Sequence, residues 1–195
     1  LSQIIQVEPD SRSYLEMLQD ASQKLDDTLT KTSEISTFEN ENDTIKKVDC
    51  NLAESLNSVI KTTNQLIKKH NVALNVKVDE SLSIKAFPPY LDSIFHNLIT
   101  NAIKYGITDE SKKLDIYASQ KEGKTYLYFQ DYGLGVDLDQ HRDKLFKLGM
   151  RLHNTSNGQG LGLFMTKRQI EAMGGQIEVE SKINVGTTFK LIFEK

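Results

Sequence analysis

The sequence predicts an α/β two-layer sandwich, a mixed and mostly antiparallel sheet with helices over one face, preceded by one long dimerisation-type helix. Three observations lead there. Beyond residue 44 the apolar spacing switches repeatedly between the three-and-four period of a helix and the alternation of a half-buried strand. Short turn signals such as Glu122-Gly123 separate neighbouring strand-like runs, which favours antiparallel pairing. Before residue 44 a single polar helical pattern carries a narrow apolar seam that it cannot bury alone.

Each element follows in order. Pro9 and Asp10 punctuate the start, with Asp10 or Ser11 as N-cap, and residues 11–38 read as one helix. Leu15, Leu18, Ser22, Leu25, Leu29 and Thr32 form its seam, which suits a helical hairpin or a homodimer. Residues 39–43 are polar and read as a linker, which sets the domains at 1–43 and 44–195. A short edge strand at 47–50 leads into an amphipathic helix at 52–70, with Leu52, Leu56, Val59, Ile60, Leu66 and Ile67 inward. Residues 72–78 alternate as a half-buried strand, with 83–86 expected to pair beside it. Pro88 and Pro89 open a helix to Tyr105, since proline is tolerated in a first turn. Strands at 114–119 and 125–130 follow, then a glycine-punctuated stretch over 131–160. A helix at 161–173 stops at Gly174-Gly175, and a hairpin at 176–181 and 187–193 ends the sheet.

Composition narrows the function classes. The 195 residues suit one full domain plus an appendage, and 38% hydrophobic with 26% charged residues argues against global disorder. The net charge of −3, without a long basic run, counts against a nucleic-acid partner. Cys50 is the single cysteine, which excludes an intrachain disulfide and a cysteine-rich zinc cluster and fits a reducing compartment. Apolar runs fall far short of the roughly 20 residues that span a bilayer. The chain opens at Leu1 rather than methionine, so the expectation is a fragment, itself cytoplasmic, of a parent that reaches a membrane only through an upstream region.

The helix after Pro89 carries the most informative residues. Leu91, Ile94, Leu98, Ile99 and Ala102 form its apolar face, while Asn97, Asn101, Lys104 and Tyr105 fall on a neighbouring stripe. Asparagine is unfavourable inside a helix because its side chain competes for backbone partners. The pair reads either as boundary residues or as amides that meet a hard cation, with Lys104 meeting phosphate; Mg²⁺ takes few protein ligands and fills its shell with phosphate and water. Two glycine loops follow, Asp131-Tyr132-Gly133-Leu134-Gly135 after a strand and Gly158-Gln159-Gly160-Leu161-Gly162 before a helix. Each alone reads as a turn; together they offer close backbone approach to phosphate and a helix N-terminus. A P-loop is absent, and a dinucleotide fingerprint fails because Leu138, Leu163 and Met165 stand where its third glycine would. The protein-kinase set of glycine loop, strand lysine and Asp-Phe-Gly is also missing. The polar residues between the loops, about 136–158, suggest a lid.

In order, these segments resemble the motifs of sensor histidine kinases. Residues 97–105 (Asn-Leu-Ile-Thr-Asn-Ala-Ile-Lys-Tyr) resemble the N box, 131–135 the first glycine box, the stretch around Phe146 the F box, and 158–163 the second glycine box. Gly149 stands where the family usually has an aromatic. The resemblance covers about residues 45–195 and implies a fold shared with gyrase, mismatch-repair and chaperone ATPases, with ATP held between sheet and helices. It implies that Asn101 ligates Mg²⁺ with Asn97 in support, that Lys104 reaches the phosphates, and that Tyr105 packs on adenine. Asp131 would accept the adenine amino group, with Thr187 assisting through water, and Arg151 would be a lid arginine at the terminal phosphate. Gly133, Gly135, Gly158, Gly160, Leu161 and Gly162 would line the nucleotide.

The first residues look like the end of an H box whose acceptor histidine lies upstream of Leu1; none of His70, His96, His141 and His153 sits in such a context. The resemblance therefore implies a protein-histidine kinase that passes the terminal phosphoryl of ATP to a histidine and then to a response regulator receiver domain. An ATP-hydrolysing clamp, a degenerate dimerisation module and a serine-directed anti-sigma kinase are the rival readings.

Overall fold

The computed structural model describes residues 46–108, 111–142, 144–149 and 160–194. The chain divides into two units, Leu1–Asp43 and Thr44–Lys195, and the described residues belong to the second. The expected long helix and its seam lie outside the described residues.

Strand β1 (Val48–Asn51) runs directly into helix α1 (Leu52–Lys69). Asn51 caps that helix, its Oδ1 accepting the Glu54 amide at 3.0 Å, which satisfies one of the orphan donors of the first turn. Leu52, Leu56, Val59, Thr63 and Ile67 are buried along one face, while Ile60 and Leu66 pack against the core only in part. Four of the six positions expected inward, Leu52, Leu56, Val59 and Ile67, are thus buried, and the other two flank them.

Strand β2 (Ala73–Lys77) and strand β3 (Ser83–Ala86) do not pair with each other, contrary to the expectation from sequence. Instead β3 lies antiparallel to β1, from Val48 opposite Ala86 to Asn51 opposite Ser83. The turn between them explains the switch. Ser81 donates to Asp79 Oδ1 through its amide at 2.8 Å and its hydroxyl at 2.6 Å, and the Leu82 amide donates to the Asp79 carbonyl. The Leu82 carbonyl then takes the Leu52 amide at 2.9 Å, which fixes β3 to the β1–α1 junction. Alternation in strand composition sets which face is inward, but not which neighbour is chosen.

Helix α2 (Pro88–Tyr105) begins with two prolines in its first turn and ends at Gly106, whose amide donates to the Ala102 carbonyl at 2.7 Å. Leu91, Ile94, Phe95, Leu98 and Ile99 are buried on it, each side chain contributing about 1.5–3 kcal/mol of hydrophobic stabilisation. Helix α3 (Leu138–His141) is a single turn capped by Asp137, and helix α4 (Gly162–Ala172) ends where Gly174 turns at φ +80° and Gly175 donates back to Ile170.

The main sheet contains β4 (Lys113–Lys121), β5 (Lys124–Asp131), β6 (Gln176–Lys182) and β7 (Gly186–Glu194) beside β2, in the order β2-β4-β5-β7-β6. β2 is parallel to β4 and every other neighbour is antiparallel. The mixed, mostly antiparallel sheet is the one expected. Along central β5 the period-two alternation buries Thr125, Leu127, Phe129 and Asp131 and leaves Tyr126, Tyr128 and Gln130 half-buried on the other face. Phe95 of α2 meets Phe129 with ring centroids 5.7 Å apart, so the buried face is the one the helices cover. The same alternation that makes the core therefore delivers one carboxylate, Asp131, into it.

Candidate functional site

Asp131 is 9% exposed, a costly place for an ionisable group. Its Oδ1 accepts two backbone amides, from Gly133 at 3.1 Å and from Thr187 at 3.1 Å. Burial pushes the carboxyl above its ordinary range, and the two amides only partly offset it. Among the described residues its Oδ2 accepts no hydrogen bond. The group is thus fixed through one oxygen and leaves the other for a donor from outside.

Thr187 was expected to assist Asp131 through water. In the structure the Thr187 backbone amide donates to the carboxylate directly. The threonine hydroxyl lies 2.9 Å from Ser181 Oγ, which accepts the Val136 amide at 2.8 Å and donates to the Gly186 carbonyl at 2.9 Å. Ser181 has one proton, so the shared proton with Thr187 comes from Thr187. Gly186 makes this crossing passable: at φ +125° it adopts a conformation L side chains rarely take, and a Cβ there would strike the Asp131 carbonyl and Tyr132 Cα. Tyr132 lies inside the first glycine loop and Gly186 directly before Thr187, while Ser181 is a neighbour that no motif pointed to.

On α2 the asparagines are not isolated boundary residues. Asn101 Nδ2 donates to Asn97 Oδ1 at 3.4 Å, and Asn97 Nδ2 donates to Thr166 Oγ1 of α4 at 2.7 Å. Both polar ends of the Asn97 amide thus have partners within the protein, whereas the Asn101 oxygen accepts nothing among the described residues. A Cβ at Gly162 would fall on the Asn97 amide, so a larger residue there would have to displace that side chain. Lys104 is exposed one turn on, and Tyr105 is half-buried at the end of the helix.

Gly160, at φ +70°, accepts the Gly149 amide through its carbonyl at 3.1 Å, and Leu161 is the N-cap of α4 without a side-chain cap bond. With no acidic residue in the first turn either, that helix terminus keeps its partial positive charge and amides for an anion. Gly133 and Gly135 lie in the loop directly after β5, where the Asn184 amide donates to the Leu134 carbonyl at 2.7 Å. Arg151 and Gly158 lie outside the described residues, as do residue 143 and the later part of the expected lid, 150–158. Its described opening is not loop alone: Val136, Leu138 and Leu145 are buried.

Tyr132, between Asp131 and Gly133, is tied to the open face of the sheet. Its hydroxyl donates to Asp115 Oδ2 at 2.6 Å, Lys113 reaches the same oxygen at 2.7 Å, and Asn75 donates to Oδ1 at 3.2 Å. Burial opposes ionisation of Asp115, but these hydrogen bonds prevail and hold its carboxyl below the usual range. An open groove of about 480 Å³ lined by Lys69, His70, Asn71, Ile107, Thr108, Lys112 and Leu134 touches the glycine loop at Leu134 and none of the other residues expected at the site.

As for a cation, the described residues hold no cluster of three or more His, Cys, Asp or Glu. An all-protein cage is therefore absent among them, and a neutral amide oxygen such as that of Asn101 fits a divalent ion only if a ligand supplies most of the oxygen atoms. Mg²⁺ shared with phosphates meets that condition.

Comparison with known proteins agrees with this geometry. Residues 88–195 match the family described as histidine kinase-, DNA gyrase B-, and HSP90-like ATPase. Over 117 residues the chain is 33% identical to the signal transduction histidine-protein kinase ArlS of Staphylococcus aureus, covering 58% of this chain and 26% of that protein. The chain therefore spans about a quarter of the length of the relatives it matches. Histidine kinase AdeS of Acinetobacter baumannii superposes with a TM-score of 0.75 at 19% identity, over 96% of this chain and 86% of that one. Full-length ShkA in complex with AMPPNP superposes at 0.74 with 22% identity, over 96% of this chain and 39% of that one. At such identities the two structures bear on the fold alone.

Proposed function

Because the chain belongs to the histidine kinase-, DNA gyrase B- and HSP90-like ATPase family, we propose that it is the ATP-binding catalytic part of a sensor histidine kinase. In this reading Mg-ATP lies between α2, α4 and the sheet, and its terminal phosphoryl passes to a histidine of the whole protein and then to an aspartate of a response regulator receiver domain. The observation that carries the nucleotide half is Asp131: a buried carboxylate held by two backbone amides through one oxygen, with the other left to accept a donor. An adenine amino group is such a donor, and a guanine carbonyl is not. The likeness to ArlS supports the kinase half.

Each residue then has a task. Asp131 reads the base, with Tyr105 packed against it; Asn101 offers its amide oxygen to Mg²⁺, and Lys104 its ammonium to phosphate. Gly133, Gly135, Gly160 and the first amides of α4 lie along the phosphates. Mg²⁺, when bound, neutralises charge on the phosphates. Arg151 is proposed to do the same from the lid. Phosphoryl transfer asks the protein for alignment and electrostatic stabilisation rather than covalent chemistry, which suits a site without a nucleophile. The whole protein is proposed to act as a homodimer through a helix proposed for residues 11–38, with this part on the cytoplasmic side. Among the described residues no helix is long and apolar enough to cross a membrane.

Calorimetric titration of the chain with Mg-ADP tests the nucleotide half: saturable binding is expected, and none at millimolar nucleotide ends the reading. Incubating the full-length protein with labelled ATP tests the rest. Acid-labile, base-stable phosphate marks histidine. Steady hydrolysis without a phosphoprotein would favour the clamp instead.

A further inference from the structure

We infer that Thr166 on α4 is a positioning residue for Asn101, acting through Asn97; this deepens the nucleotide reading above and rests on it. An asparagine amide has two unlike ends, an oxygen that a hard cation accepts and an NH₂ group that it repels. Which end of Asn101 faces the nucleotide is therefore decisive, and its own backbone does not decide it.

One hydrogen bond between the helices and one along α2 do. Thr166, 1% exposed, receives Asn97 Nδ2 at 2.7 Å, the shorter and stronger of the two links. With its nitrogen held there, Asn97 presents its oxygen to Asn101, whose Nδ2 approaches at 3.4 Å. Asn101 thus turns its nitrogen toward Asn97 and keeps its oxygen for the ligand. If Asn97 were rotated by half a turn, it would offer N–H to Asn101, draw in the oxygen and expose the nitrogen, and a cation would be rejected. Gly162 stands one turn before Thr166 on α4 and closes over the same Asn97 amide. The helix whose N-terminus continues the second glycine loop thereby sets the orientation of the amide expected to meet the metal.

The next turn supplies an internal control. Gln169 Nε2 donates to Ser93 Oγ at 3.1 Å, and the buried Gln169 Oε1 has no partner. That pair joins α4 to α2 as Thr166 and Asn97 do, but makes no hydrogen bond to Asn97 among the described residues. A merely structural role for polar bonds between the helices would make the two pairs equivalent.

The test is titration with ADP, with Mg²⁺ and in chelator, alongside thermal midpoints, for the parent and Thr166→Val, Thr166→Ala, Thr166→Ser, Ser93→Ala and Asn101→Ala. Valine keeps the shape and removes the acceptor, and alanine cannot overpack, so together they separate lost orientation from misfolding. Both are expected to weaken Mg-ADP binding about tenfold, the scale of a lost partner behind a metal ligand, with binding in chelator as in the parent. Serine is expected to restore the parental ratio, and Ser93→Ala to lower the midpoint while leaving that ratio alone. Parental Mg²⁺ dependence in both hydroxyl-less variants overturns the inference, as does an equal loss in Ser93→Ala. If Asn101→Ala loses Mg²⁺ dependence and the Thr166 variants keep it, only the relay falls. A parent without Mg²⁺-dependent ADP binding overturns the functional reading and the relay with it.

Discussion

The backbone amide of Thr187 donates to the carboxylate of Asp131 at 3.1 Å, across 56 residues of chain, and shares the oxygen with the amide of Gly133. Both protein donors therefore use Oδ1. Asparagine at this position can keep that oxygen in place and offer NH₂ where Oδ2 stood. Asp131→Asn is expected to fold normally and to lose its preference for adenine, because a donor would then face the adenine amino group. The loss should be about 1–3 kcal/mol, the cost of an unmatched buried polar group. Titrating parent and variant with ADP and GDP checks it; a parent that binds both equally removes Asp131 from base recognition.

The same carboxylate gives a pH dependence of defined sign. Its folded pKa is raised above the ordinary carboxylate value, chiefly by burial. The folded state thus holds the proton more tightly than the unfolded state, so the contribution is fully present below pH 3.8 and is lost as pH rises through the raised folded value. Asp131→Asn, which does not titrate, should gain stability relative to the parent across that interval and hold the gain at neutral pH. Urea denaturation of both proteins along a pH series measures the difference. Nucleotide affinity should move the opposite way, weakening on acidification in the parent as the acceptor takes up a proton, and staying flatter in the variant.

The two sides of this site were not equally readable from sequence. Asn97, Asn101 and Lys104 lie on one helix, so spacing alone places them on one stripe, whereas Asp131, just past the strand read at 125–130, is pointed out only by the resemblance to the first glycine box. Gly186, Ser181 and Thr166 meet the site from far along the chain, and local periodicity carries no information about which loop or helix arrives opposite. The expected pairing of β3 with β2 failed for the same reason: an alternating strand specifies an inward face, and here a turn at Asp79 chose the neighbour. Thr166 would pass for a core residue in any reading of α4, and only the hydrogen bond to Asn97 distinguishes it.

Two glycines with positive φ should respond very differently to alanine. Gly186 has φ +125° and would drive a Cβ into the Asp131 backbone, whereas Gly123, φ +74°, turns between β4 and β5 with nothing within 4 Å of its would-be Cβ. Gly123→Ala should cost about 1 kcal/mol, the strain of the conformation alone, and leave nucleotide binding unchanged. Gly186→Ala adds a backbone collision to the strain, so a loss of about 3 kcal/mol or more is expected, with the first glycine loop displaced and nucleotide affinity reduced. Denaturation midpoints with ADP titrations compare them. Equal effects on binding would mean that the crossing of Gly186 over Asp131 does not hold the loop.

Tyr132→Phe removes one hydroxyl from the network that ties the loop to the sheet, where Asp115 also takes Lys113 and Asn75. The expected loss is about 1–2 kcal/mol at neutral pH, since the acceptor is charged and the bond is partly shielded. Its pH dependence must run opposite in sign to that of Asp131. The Asp115 pKa is depressed from 3.8, so its stabilisation is present above that value and disappears as pH falls through the folded one. Removing the tyrosine hydroxyl takes away part of the depression. The deficit of Tyr132→Phe should therefore be largest at neutral pH and shrink on acidification, as the carboxyl becomes protonated in both proteins. A deficit that stays constant from neutral pH to below 3.8 would assign the effect to lost packing of the phenol instead of to its bond with Asp115.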